Sequence, residues 1–214
     1  AATPSITVAD CWANGAEIKK QMDYAQQQHV NLLVLPELCI TGYTCGDLFL
    51  QSFLLDQARE VLLDLISYSC RIRCVVVLGV PLLQNHQLYN CAAVIYNGQL
   101  LGVVPKTHIP NYGEFYEKRY FTPCPPQNTQ ITIGTFTCPF GSHLLFSCEE
   151  LPEFTLGIEI CEDVWVATPV SNYLAPHGSY IIANCSASDE TVGKNDYRRS
   201  LIQSQSARLL CGYV

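Results

Sequence analysis

The chain has 214 residues, 49% apolar and only 14% charged, enough for a large core whose elements are buried on more than one face. A net charge of −7 with dispersed Lys and Arg argues against a nucleic-acid or acidic-membrane surface, and no apolar run reaches the length of a membrane span. Twelve cysteines lie mostly inside apolar runs, with no Cys-x-x-Cys and no paired histidines among five. They read as small hydrophobes in a reducing, cytoplasmic compartment, not as zinc ligands or a disulfide scaffold.

In chain order, the spacing predicts a helix over Asn14–His29, with Ile18, Met22 and Ala25 on one face and Asn14 as its N-cap. A buried strand at Asn31–Leu35 runs into Pro36-Glu37. A second helix spans Leu54–Ile66, with Ala58, Val61, Leu62 and Leu65 as its apolar stripe. Cys74–Val80 is a buried strand ended by Pro81. Leu88–Tyr96 and Gln99–Val104 flank Asn97-Gly98, the strongest hairpin signal in the chain. Lys106–Pro126 is a loop-rich stretch holding Tyr112, Phe115, Tyr116, Tyr120 and Phe121. Ile131–Phe136 and Leu144–Ser147 are expected as strands around a Pro139–Gly141 turn. Thr155–Ile160 and Tyr180–Asn184 are strands, and Asp196–Leu210 is a helix. This alternation predicts one layered α/β domain with a mixed sheet and no internal repeat or linker. Both ends are expected to be incomplete, since Gly212-Tyr213-Val214 reads as the opening of a strand.

Three apolar segments each end on a reactive group. Asn31–Leu35 leads to Glu37, Leu100–Val104 to Lys106, and Thr155–Ile160 to Cys161, with Glu162 and Asp163 directly behind the thiol. A thiol at neutral pH needs a base to become a nucleophile, and Glu37 can take and return the proton. Attack on an amide carbon places negative charge on the former carbonyl oxygen. The Lys106 ammonium and the Glu162 N–H are candidate stabilisers of that charge. A thioester forms, ammonia leaves, and water completes the hydrolysis. Each residue also has a plain structural explanation: a packed cysteine, a solvated loop lysine, a turn-capping glutamate. Spacing alone does not bring the three together. Gly193-Lys194 fails as the end of a phosphate loop, because Ser188 and Asn195 stand where that motif needs Gly and Ser or Thr.

These segments resemble the nitrilase (carbon–nitrogen hydrolase) superfamily. The matches are Leu35-Pro36-Glu37-Leu38 with Thr41-Gly42-Tyr43, then Pro105-Lys106-Thr107-His108, then Gly157-Ile158-Glu159-Ile160-Cys161-Glu162-Asp163. They follow the family's order of Glu, Lys and Cys. The resemblance covers nearly the whole chain. Asp10 and Asn14 also match a Gly-Asp-x-x-x-Asn element, with Val8-Ala9 in place of its Gly context. Within the superfamily, Asp47-Leu48-Phe49, Pro105 through Tyr120 and Ser186 through Arg199 are similar to the glutaminase domains of glutamine-dependent NAD+ synthetases.

The resemblance implies a four-layer α-β-β-α sandwich truncated at both ends, with residues 1–214 as one carbon–nitrogen hydrolase domain and a C-terminal synthetase domain absent. It implies Glu37 as general base, Lys106 as oxyanion stabiliser, Cys161 as nucleophile, and Glu117 orienting Lys106. Tyr112 and Phe115 would line a glutamine pocket, with Tyr43 beside Glu37 and Glu162 next to the nucleophile. Ser188 and Lys194 would lie where the substrate's α-amino and α-carboxylate groups are held. Asp189 follows Ser188 where many relatives have Pro. The implied partners are L-glutamine, the synthetase domain that receives ammonia, and further copies in a homo-oligomer. Nucleic acid and membrane are not among them. No metal or cofactor is implied for glutamine hydrolysis; ATP, Mg2+ and deamido-NAD+ are implied for the absent domain. The alternatives are a nitrilase-type amidase acting on another small amide and a non-catalytic nitrilase-like assembly domain.

Overall fold

The computed structural model describes residues 1–214. Its first helix, α1 (Cys11–Gln27), starts earlier than expected. Asp10 is its N-cap, accepting the Ala13 N–H at 3.0 Å. Asn14 lies inside the helix, fully buried. Its side chain bonds the Thr7 backbone on both sides and the Ile40 carbonyl, tying the first segment to the chain beyond Glu37. An Asn that can cap a helix on sequence grounds is thus a tertiary tie.

A six-stranded sheet has the order β1-β2-β3-β4-β6-β5. Its strands are β1 (Leu32–Val34), β2 (Val75–Gln84), β3 (Gln87–Tyr96), β4 (Gln99–Pro105), β5 (Thr129–Ile133) and β6 (Phe136–Phe140). The turn between β3 and β4 is Asn97-Gly98, with φ of 45° and 77°, the left-handed pair that a two-residue hairpin requires. Two proline-based expectations fail. β2 continues through Pro81, which pairs with Asn90. β1 reaches only to Val77, so from there β2 has a strand on one side only, and a missing N–H is tolerated. Pro139 lies inside β6, and the turn is at Gly134-Thr135. β6 meets β4 only through Phe140 and Val103, so Pro139 interrupts no ladder on that side.

A second sheet has the order β10-β9-β8-β7, from β7 (Leu145–Ser147), β8 (Thr155–Ile160), β9 (Ile181–Cys185) and β10 (Gly212–Tyr213). β8, β9 and β10 are parallel and β7 is antiparallel at the edge. The two sheets meet through Val77, Ala92, Val94 and Val104 on one side and Leu156, Ile158, Ile160 and Ala183 on the other. Each such Val, Leu or Ile contributes about 1.5–3 kcal/mol on burial.

On the far side of the first sheet, α1 and α2 (Ser52–Tyr68) bury Ile18, Met22, Val61, Leu62 and Leu65 against Leu78, Ala93 and Ile95. On the far side of the second, the short α3 (Ser171–Leu174) and the segment after α4 (Lys194–Leu209) bury Leu174 and Cys211 against Ile182. The layers are therefore α-β-β-α. No helix is long and apolar enough to cross a membrane.

Candidate active site

The strand directions bring the reactive groups to one edge. β1 is parallel to β2, and β3 is antiparallel to both β2 and β4, so β1 and β4 end on the same side. Glu37 follows β1 and Lys106 follows β4. Across the sandwich, Cys161 follows β8, and Ala187 follows its parallel neighbour β9.

Lys106 Nζ lies 2.6 Å from Glu37 Oε1 and 2.7 Å from Glu117 Oε1, and all three side chains are buried. Asn90, in the middle of β3, donates to Glu37 Oε1 at 2.7 Å and to Glu117 Oε2 at 3.4 Å. The Ala187 N–H donates to Glu37 Oε2 at 3.1 Å. Tyr43 donates its hydroxyl to Glu117 Oε1 at 2.7 Å. Glu37 thus receives three donors and Glu117 three.

Cys161 is buried beside this cluster. Burial pushes its thiol well up and Glu37 adds to that, while Lys106 and the Ala187 N–H pull it down. The resting sulfur therefore holds its proton. Burial works against the Lys106 ammonium, but the Glu37 and Glu117 carboxylates outweigh it and hold it charged. Burial first, and Glu37 second, raise Glu117. Burial and the neighbouring Glu117 also hold the Tyr43 proton in place. In chemical terms this is a protonated thiol next to a carboxylate acceptor, with a fixed ammonium in a dry setting, a combination suited to attack on a carbonyl carbon.

Two backbone features fix the sulfur. Cys161 has φ of 43°, left-handed for a residue with a side chain, and its N–H donates to Asn184 Oδ1 at 2.8 Å. Asp163 then locks the two loops together. Its Oδ2 accepts the Ile160 N–H at 2.9 Å, and its Oδ1 accepts the His108 N–H at 2.7 Å and the Thr107 N–H at 3.2 Å.

Cys161 opens into a cavity of about 360 Å3. Tyr112, Phe115, Glu162, Ser188 and Lys194 line it, so five expected substrate-binding positions share one space with the thiol. Tyr112 donates its hydroxyl to both Glu162 oxygens at 2.9 Å. Burial and that carboxylate push the tyrosine up to about 12. Lys194 is paired with Asp189 and sits 5.6 Å from the Phe115 ring centroid and 5.4 Å from that of Trp165. Tyr43 lines a neighbouring cavity of about 300 Å3, which shares Glu114, Phe115 and Asp189 with the first. A larger cavity, about 590 Å3, is lined by Arg59, Leu82 and Ile131 among others and holds none of the reactive groups.

Sequence reading missed four contributors: Asn90, the Ala187 N–H, Asn184, and Asp163 as a lock. Asn90 had a signal, a lone amide within the apolar run Tyr89–Tyr96. The Ala187 N–H had none, since any non-proline residue supplies the same donor.

The family model described as carbon–nitrogen hydrolase matches residues 1–212. Over all 214 residues the chain is 42% identical to the glutamine-dependent NAD(+) synthetase of Mycobacterium tuberculosis, covering 32% of that protein. It is 30% identical over 208 residues, 97% of the chain, to the enzyme of the same name from Aquifex aeolicus, covering 33% of it. The crystal structure of a glutamine-dependent NAD(+) synthetase from Cytophaga hutchinsonii superposes with a TM-score of 0.87 at 31% identity, over 99% of this chain and 34% of that one. The chain spans about a third of the length of the curated relatives it matches.

Proposed function

The chain belongs to the carbon–nitrogen hydrolase family, and on that premise we propose that it hydrolyses the side-chain amide of L-glutamine, as the glutaminase part of a glutamine-dependent NAD+ synthetase. The observation that carries the reading is the convergence of Glu37, Lys106 and Cys161 at one sandwich edge, beside a cavity containing Lys194 and Glu162. A cation and a carboxylate at the cavity wall suit the two charges of a free amino acid.

In the proposed reaction Cys161 Sγ bonds to the amide carbon as its proton passes to Glu37. Lys106 faces the developing oxyanion, with the Glu162 N–H as a second donor. Glu37 returns the proton to the leaving nitrogen, the C–N bond breaks, and ammonia departs from a thioester. Water then attacks, giving one proton to Glu37, and the C–S bond breaks as the sulfur recovers a proton. Glu117 orients Lys106, and Asn90 and the Ala187 N–H orient Glu37. Tyr112, Phe115 and Ser188 shape the pocket, with Tyr43 behind Glu117.

The ammonia is passed, on this reading, to an ATP-dependent synthetase domain that converts deamido-NAD+ to NAD+. The residues here do not fit ATP or Mg2+. The turn into α4 lacks the glycines and the Ser or Thr of a phosphate loop, and no group of three or more His, Cys, Asp or Glu side chains stands ready to hold a metal. Free cysteines throughout, nine of them buried, support a reducing, cytoplasmic setting.

The test is Cys161→Ala in the full-length protein. Glutamine-driven NAD+ formation is expected to fall at least about a thousandfold, while synthesis from added ammonia continues. Loss of both activities would make Cys161 a structural residue.

A further inference from the structure

A left-handed backbone at a residue with a side chain persists only where its surroundings hold it, and Cys161 is such a residue. Its support runs outward through the second sheet. The Cys161 N–H and the Ser186 hydroxyl both donate to Asn184 Oδ1, each at 2.8 Å. The other end of that amide, Asn184 Nδ2, donates to the Tyr213 hydroxyl at 3.0 Å. That hydroxyl donates to Glu159 Oε1, and Glu159 Oε2 accepts the Ser171 N–H at 2.8 Å. Glu159 is fully buried on β8, two residues before the thiol, and has no part in the chemistry above.

The chain of bonds has a direction. Each Glu159 oxygen receives a hydrogen, Oε2 from the Ser171 N–H and Oε1 from the Tyr213 hydroxyl, so the group is the acceptor at this end of the chain. It takes the single proton of Tyr213. The lone pairs of Tyr213 are left to face Asn184, which must then present its NH2 outward and its oxygen to Cys161. Without the Tyr213 hydroxyl the Asn184 NH2 loses its acceptor, and only the Cys161 N–H and the Ser186 hydroxyl still hold the amide in that orientation. The rotated amide would set NH2 against the Cys161 N–H, donor against donor.

We propose that Tyr213 is a positioning residue for Cys161: with Glu159 it fixes the orientation of the Asn184 amide and, through it, the backbone that aims the sulfur. The inference rests on the reading of Cys161 as nucleophile. It also gives β10 a role beyond completing the sheet. β10 pairs with β9 over two residues only, Gly212 with Ile181 and Tyr213 with Ile182, so displacement of this short strand reaches the Cys161 backbone through two side chains, Tyr213 and Asn184.

The test uses Tyr213→Phe in the full-length protein, which keeps the ring and removes the hydroxyl. Tyr213 does not line the cavity that holds Cys161, so the KM for glutamine is expected to stay within about twofold, while kcat falls about tenfold or more. The rate of Cys161 alkylation by iodoacetamide, followed by peptide mass, should fall in parallel. Glu159→Gln, which can donate where the carboxylate only accepts, should reproduce both losses, and it carries the same readouts if Tyr213→Phe does not fold. A lowered melting temperature with unchanged kcat and unchanged alkylation in either variant would overturn the proposal. Alkylation needs no glutamine. A wild-type protein inert toward glutamine whose Cys161 alkylation still depends on Tyr213 would overturn the substrate reading and uphold the positioning.

Discussion

Lys106 faces two carboxylates with no solvent, which is an expensive arrangement. Removing one partner of a buried ion pair costs about 3–5 kcal/mol, yet apolar replacement of a whole pair is often neutral. The cluster is therefore better explained by the chemistry it supports than by stability. Within it, burial and Glu37 push the Glu117 carboxyl up, while Lys106 and the Tyr43 hydroxyl pull it down. A second buried carboxyl, Asp163, allows a sharper prediction. Burial pushes it from 3.8 up to about 7, against the pull of the Ile160 and His108 N–H groups. Between those values the folded protein keeps a proton that the unfolded chain has released, so this group's contribution to stability is full below about 4 and is lost as pH rises through about 7. Asp163→Asn does not titrate. The stability of wild type relative to Asp163→Asn, from urea unfolding, should thus shrink across this window, by at most on the order of 4 kcal/mol. A difference that grows with pH would show that the three N–H donors outweigh burial.

Four elements deliver the site by ending at the same edge, and the segment after β1 is the most tightly seated. A Cβ at Gly79 of β2 would stand 2.1 Å from the Leu38 nitrogen, 2.5 Å from the Pro36 oxygen and 2.6 Å from the Glu37 carbonyl carbon. These are backbone atoms of the segment that carries Glu37, and they cannot swing aside as a side chain can. Gly79→Ala is expected to displace Glu37 from Lys106, lowering glutamine hydrolysis about a hundredfold or more and stability by about 1–3 kcal/mol. Wild-type kcat and melting temperature in this variant would contradict the packing described. The elements also show which sequence signals transfer. The Asn97-Gly98 hairpin and the strand Thr155–Ile160 stand where local pattern put them, because turn chemistry and burial act within a few residues. Pro81 and Pro139 misled, because a proline's cost depends on whether a neighbouring strand needs its N–H, which sequence does not show.

At the scale of the whole molecule, the site exists only because two sheets pack face to face. Glu37 lies 150 positions from Ala187, whose N–H it accepts, and 69 from Lys106. No local pattern foretells those meetings. The three reactive groups were legible as strand ends and through their resemblance to a family. The α-β-β-α layering was legible only through that resemblance, since periodicity alone indicated a single mixed sheet. The supports were not legible: Asn90 resembles an interruption of β3, and Tyr213 and Glu159 resemble the flanks of the second sheet until Asn184 joins them to Cys161. The most direct measurement is peptide mapping by mass after the full-length protein meets a glutamine-mimicking diazoketone. The expected result is a single adduct on Cys161, blocked by excess glutamine. Absence of that adduct, or its appearance on another of the twelve cysteines, would contradict the assignment of nucleophile and substrate together.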